Sequence, residues 1–299
     1  MDPSSSKLLD PLTLQRAEML GLQARQIVEG YMAGAHKSPF RGIAIEFAQH
    51  REYVPGDDVR HLDYKVLGRT DRYYIKQYEQ ETNYVAHLLL DGSRSMKYGS
   101  GGQSKFEYAQ QMAATLAYLI LLQRDAVAVS IFDDSVREHQ SRTDNLGKIH
   151  DITKIIAGFA PLEKTNVAQI LHNLAAQIRR KGIVILISDL LDDEEKIIEG
   201  IQHLRFDGHE VIVFHVMDHA EVTFEFTGTV EFLGLEGEQS VLTQPSALRQ
   251  SYLNELNAFR ERVRLGCERN RCHYIFADTS RPWHEVLSAY LASRQHTGF

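Results

Sequence analysis

Only two cysteines, Cys267 and Cys272, occur in 299 residues, so no set of paired thiols staples the fold, and a reducing compartment fits best. Basic residues are outnumbered, with 33 Lys and Arg against 40 Asp and Glu for a net charge of -7, and the positive field of a general nucleic-acid binder is missing. No charge-free apolar run reaches the roughly 18 residues that a membrane-spanning helix needs. The opening stretch, MDPSSSKLLDPLTLQRAEML, has acids and polar residues where a signal peptide has a basic start and an apolar core. These absences predict a cytoplasmic protein with no membrane span and no nucleic-acid partner. Gly99-Ser100-Gly101-Gly102 lacks the Gly-Lys-Ser/Thr of a P-loop and reads as a flexible connection. Cys267, Cys272 and His273 have no second ligand pair, which excludes a zinc site, and the 14 histidines form no HExxH arrangement.

What is present is ordinary globular usage, 43% hydrophobic and 24% charged, over a length that allows one large domain or one domain with an appendage. Residues 1–81 read as an N-terminal helix and accessory region. Ala17, Leu20, Ala24, Ile27, Val28 and Tyr31 share one helical face, and an aromatic stretch from Arg72 to Tyr78 suits a strand. In between, Arg51, Arg60, Arg69 and Arg72 interleave with Glu52, Asp57, Asp58, Asp63 and Asp71, a pattern of ion pairs that would hold this layer onto the domain, with a partner surface as the alternative reading.

Residues 82–299 alternate short apolar runs with helical segments, the signature of an α/β domain with a parallel sheet. The runs are Tyr84 to Asp91, Ala126 to Asp133, Ile183 to Asp189, Glu210 to Asp218 and His273 to Asp278. Helices are expected over Lys105 to Gln123, Asn145 to Ile156, Val167 to Arg180, Asp193 to Leu204, Ser246 to Arg264 and Pro282 to Arg294. A hairpin is expected from Val222–Phe226 and Val230–Leu235 around Thr227-Gly228-Thr229.

Each of the five runs ends in an aspartate, and ligands of open parallel sheets bind outside the carboxyl ends of the strands. Asp133, Asp218 and Asp278 read as caps or loop residues. The first run is different: Asp91-Gly92-Ser93-Arg94-Ser95 supplies a carboxylate and two hydroxyls from one tight loop, hard oxygen donors suited to Mg²⁺ or Mn²⁺. Thr165, just before a helix, and Asp189, at a later strand end, add a hydroxyl and a carboxylate at the same sheet edge.

This set resembles the metal-ion-dependent adhesion site of von Willebrand factor A domains, with Asp91, Ser93, Ser95, Thr165 and Asp189 in the ligand positions. Lys164 stands where that family commonly has glycine. Glu46-Phe47, Arg51 to Arg60, His61 to Tyr64, Gln77 to Glu81 and Leu88 to Met96 look like the bacterial and archaeal family called domain of unknown function 58. The resemblance implies a doubly wound, mostly parallel sheet flanked by helices, in strand order 3-2-1-4-5-6, with an antiparallel edge from Val136 to Gln140. It also implies a non-enzymatic, cation-dependent protein-binding module whose partner presents an acidic residue, an adaptor of a MoxR-type AAA+ ATPase. The competing reading is a Mg²⁺-dependent phosphohydrolase using the strand-end acids. Against it, Ser93 stands where an aspartyl-phosphate mechanism needs a second aspartate, and no histidine base is evident beside the serines.

Overall fold

The computed structural model describes residues 45–54, 63–70, 72–80, 85–122, 124–162, 164, 166–178, 181–234 and 240–296. The chain divides into two compact units, one within residues 30–83 and one built mainly of residues 84–299. The helix expected from Leu14 to Tyr31 lies outside the described residues, as does Thr165.

In the first unit, strands β1 (Ile45–Glu52) and β2 (Tyr74–Gln80) pair antiparallel, with an irregularity between Phe47 and Gln49, and helix α1 (Tyr64–Thr70) lies between them in sequence. Strand β2 overlaps the expected Arg72–Tyr78 run. Strand β1, IEFAQHRE, was not foreseen because it has no apolar run, and backbone pairing with β2 makes it a strand. Of the expected ion pairs, Arg72 and Glu52 approach to 3.8 Å on an exposed surface, where such a pair contributes little.

The second unit contains β3 (Val85–Asp91), α2 (Lys105–Leu122), β4 (Ala126–Phe132), β5 (Val136–Thr143), α3 (Ile149–Gly158), α4 (Val167–Gln177), β6 (Ile183–Ser188), α5 (Glu194–Phe206), β7 (Glu210–Met217), α6 (His219–Thr223), β8 (Val230–Phe232), β9 (Val241–Thr243), α7 (Pro245–Arg269), β10 (His273–Asp278) and α8 (Trp283–His296). Its six-stranded sheet runs β5-β4-β3-β6-β7-β10, which is 3-2-1-4-5-6 in order of appearance. Only β5 is antiparallel, at the edge beside β4.

Alternation along the strands explains why helices cover both faces. Leu88 and Leu90 join a core under α2, α3 and α8, with Met112, Ile152 and Leu287, whereas Leu89 points into a second core under α4, α5 and α7, with Leu171, Ile201 and Val263. Both cysteines are buried thiols, Cys267 on α7 and Cys272 just before β10. No described helix is long and apolar enough to cross a membrane.

Several boundaries differ from expectation for local reasons. Helix α3 starts at Ile149 after a short 3-10 turn, Leu146–Lys148, capped by the Asn145 side chain on the Gly147 amide. Helix α4 stops at Gln177 because Ile178 is extended. The Val222–Phe226 strand is not formed: Asp218 and Glu221 make a capping box that commits Val222 to helix α6. Phe224 then ends α6 in the left-handed region, its ring stacked on Tyr252 of α7 at 4.3 Å. Strand β8 pairs instead with β9.

Two positions give tests of this packing. A Cβ on Gly182 would lie 2.3 Å from the Val85 carbonyl oxygen, a backbone atom that cannot move aside. Gly182→Ala is expected to lower stability by about 1–3 kcal/mol in urea unfolding. His215 on β7 is fully buried beside the Tyr274 hydroxyl, its Nδ1 2.7 Å away, and burial pulls its pKa down to about 3, against a weaker opposing pull from Asp189. The folded state therefore refuses a proton that the unfolded chain accepts, and the stability this group supplies above pH 6.5 is lost as pH falls towards 3. Relative to the wild type, His215→Leu should lose less stability between pH 7 and pH 5, by roughly 2 kcal/mol.

Candidate metal centre

Strand β3 ends on Asp91, and the chain turns at once: the Gly92 amide donates to the Phe132 carbonyl at 2.6 Å, holding the loop against the end of β4. A Cβ on Gly92 would meet the Phe159 ring at 2.3 Å, so this turn needs glycine. The Ser93 amide donates to Asp91 Oδ1 at 2.9 Å, and Ser93 opens the 3-10 turn Arg94–Lys97. That turn brings Ser95 back, and the Oγ atoms of Ser93 and Ser95 lie 3.0 Å apart. The hydroxyl-bearing residues are 0% and 3% exposed, and Asp91 is fully buried.

Strand β6 pairs with β3 and brings Ser188 and Asp189 alongside. Ser188 Oγ donates to Asp91 Oδ2 at 2.5 Å and accepts from the Leu190 amide at 2.9 Å. Leu190 holds φ at 55°, rare for leucine, with its side chain fully buried in the second core. Asp189 Oδ1 accepts from the Leu191 amide at 3.3 Å. Burial, and next the charge of Asp189, raise the Asp91 carboxyl to about 7, against hydrogen bonds from Ser188 and Ser93 that pull it down.

The other oxygen of Asp189 is committed elsewhere. Lys105, the first residue of α2 and fully buried, places Nζ 2.8 Å from Asp189 Oδ2 and 2.8 Å from Glu221 Oε1. Burial pulls the ammonium's pKa down, but Asp189 and Glu221 outweigh it and keep the group charged. Glu221 in turn accepts from the Asp218 amide at 2.9 Å. Asp218 holds the Ser100 amide at 2.9 Å and the Ser100 hydroxyl at 2.5 Å, so the glycine stretch 99–102, expected to be a slack connection, is tied down.

The structure thus brings together Asp91, Ser93, Ser95 and Asp189 of the five expected ligands. Lys164 is exposed, and Asn166 sits at the ends of two strands, its amide donating to the Asp133 carbonyl at 3.1 Å while its side chain caps α4. Asp133 pairs with Arg137 at 2.8 Å, Asp218 caps α6 and Asp278 accepts from the Ser280 amide at 2.8 Å, as read, but the last two also reach distant residues, Asp218 holding Ser100 and Asp278 lying 3.0 Å from His219 Nδ1. Ser188, Lys105 and Glu221 were missed. One signal for Lys105 was available: an ammonium in a first helical turn faces the helix's positive end and needs carboxylates to be held there.

The donor set fits a small hard cation. Ser93 Oγ and Ser95 Oγ are hydrogen-bonded to each other at 3.0 Å, a separation that also matches the roughly 3 Å between neighbouring oxygens around octahedral Mg²⁺. Among the described residues no group of three or more His, Cys, Asp or Glu is arranged to hold a metal ion.

Sheet order and helical layers on both faces define a doubly wound α/β domain, with an Asp-x-Ser-x-Ser loop at its first strand's end. Residues 49–262 match the family described as Protein of unknown function DUF58, and the chain belongs to that family. An uncharacterized protein of Mycobacterium tuberculosis is 26% identical over 300 residues, covering 96% of this chain and 91% of its own length. An uncharacterized protein of Mycobacterium bovis matches to the same extent, 26% over 300 residues. Among solved structures, the conserved hypothetical protein BatB from Bacteroides thetaiotaomicron aligns with 72% of this chain and 100% of its own at 15% identity and a TM-score of 0.48. The SpRpn10 VWA domain aligns with 70% of this chain and 95% of its own at 14% identity and a TM-score of 0.39.

Ser188 is the residue on which the loop geometry leans. Ser188→Ala takes the acceptor from the buried Leu190 amide and one donor from Asp91, and should cost about 1–3 kcal/mol in chemical denaturation.

Proposed function

We propose that this protein is a non-enzymatic, divalent-cation-dependent protein-binding module, and that its partner presents an acidic side chain. The observation that carries the reading is the pair of hydroxyls 3.0 Å apart beside the buried carboxylate of Asp91. Ser93 and Ser95 would hold Mg²⁺ or Mn²⁺, with Thr165 as a third hydroxyl and Asp91 and Asp189 as the acids that balance its charge. Bound there, mainly neutral donors leave the cation short of negative charge and of an oxygen, which a partner's carboxylate supplies. Because both hydroxyls are buried, that carboxylate gains entry on local opening, which favours slow association over diffusion-limited capture.

The family resemblance extends the proposal to the partner's identity: an AAA+ ATPase of the MoxR type, for which this chain is an adaptor working in the cytoplasm. The hydrogen bonding of these hydroxyls supports a positioning role over nucleophilic attack. Ser93 Oγ faces Ser95 Oγ, and Ser188 Oγ is engaged with Asp91 and the Leu190 amide.

Calorimetric titration of Mg²⁺ and Mn²⁺ into metal-stripped protein tests the reading, with thermal melts in parallel. Saturable binding that raises the melting temperature, and that is lost in both Asp91→Ala and Thr165→Ala, is the expected result. Absence of binding in the wild type, or Mg²⁺-dependent phosphatase or ATPase turnover abolished by Asp91→Ala, would sink it.

A further inference from the structure

Lys105 is fully buried, and it is held inside the candidate site rather than at its rim. We propose that Lys105 is a built-in counter-cation that sets the site's affinity for a divalent ion by competing with it for the charge of Asp189. The proposal rests on the metal reading above.

The geometry fixes the ammonium from two sides. Asp189 reaches it from the end of β6 and Glu221 from α6, each at 2.8 Å. The Glu221 anchor is not free to follow another partner. Glu221 is locked by its capping box with Asp218, and Asp218 is pinned by the amide and hydroxyl of Ser100. Asp189 also acts electrostatically on Asp91, so the ammonium stands within the field of both acids that would balance a metal.

When all are ionised, Asp91, Asp189, Glu221 and Lys105 leave two uncompensated negative charges, the charge of one Mg²⁺. Without Lys105 there would be three, in a buried environment where unbalanced charge is costly. The lysine therefore allows the domain to fold without metal and weakens its grip on the ion. The cation exchanges readily until a partner's carboxylate adds its own charge and retains it, which makes metal retention and partner capture mutually dependent.

The test is Mn²⁺ titration by calorimetry, with melts in Mn²⁺ and in EDTA, on the wild type, Lys105→Met and Glu221→Gln. Lys105→Met should bind Mn²⁺ about tenfold or more tightly than the wild type, and its melting temperature should fall in EDTA and recover with Mn²⁺. Glu221→Gln removes one negative charge and leaves the ammonium to Asp189 alone, so its Mn²⁺ affinity should fall. Opposite shifts are the discriminating result, because a merely structural lysine would give weakening in both variants or change in neither. A wild type silent to Mn²⁺ sinks the metal reading and takes the proposal with it. If the wild type binds and folded Lys105→Met binds equally or more weakly, the proposal falls and the metal reading stands. If Lys105→Met does not fold under either condition, Lys105→Gln takes its place in the same comparison, and unchanged Mn²⁺ affinity in Glu221→Gln overturns the proposal.

Discussion

Two carboxylates, Asp91 and Asp189, are buried at the ends of adjacent strands, and the need to balance their charge organises everything around them. Burial strengthens their repulsion, since the surroundings screen it less than water does. Asp91 is steadied by donors, the Ser93 amide and the Ser188 hydroxyl, and Asp189 by an ammonium. Each of those groups is fixed by an element that has a separate structural reason to be there. The Ser93 turn depends on Gly92 fitting under Phe159, Ser188 on the β3–β6 pairing, and Lys105 on the start of α2.

The network reaches further than a ligand loop would. From Asp189 it runs through Lys105 to Glu221, through the α6 capping box to Asp218, and from there to Ser100 in the loop that precedes α2. It joins the ends of β6 and β7 to the loop and first turn that follow β3. A change of charge at the sheet edge is thus felt by three loops together.

Buried hydroxyls set this arrangement apart from an open chelating bowl. Because Lys105 offsets part of the buried negative charge, the site as proposed would fold in either metal state, and the ion would act as a signal rather than as a structural staple. That suits a recognition module more than a hydrolase, which needs its nucleophile aimed at an accessible substrate.

Much of the architecture was legible in the sequence. Runs such as Leu88-Leu89-Leu90 that are apolar at every position mark strands covered on both faces, and their alternation with long helical segments fixes a parallel sheet. Asp91, Ser93 and Ser95 were legible too, because a five-residue loop after a strand keeps its donors together wherever the chain goes next. Contacts between distant residues were decided by the tertiary structure alone. Strand β1 has no apolar run and exists through pairing with β2, and Val222 joined a helix because Asp218 and Glu221 capped it. Lys105 meets Asp189 and Glu221 across 84 and 116 residues of chain. Local spacing reports which groups a loop can offer; which charge is brought to meet them depends on strand order and helix placement, and those are set by burial of the core.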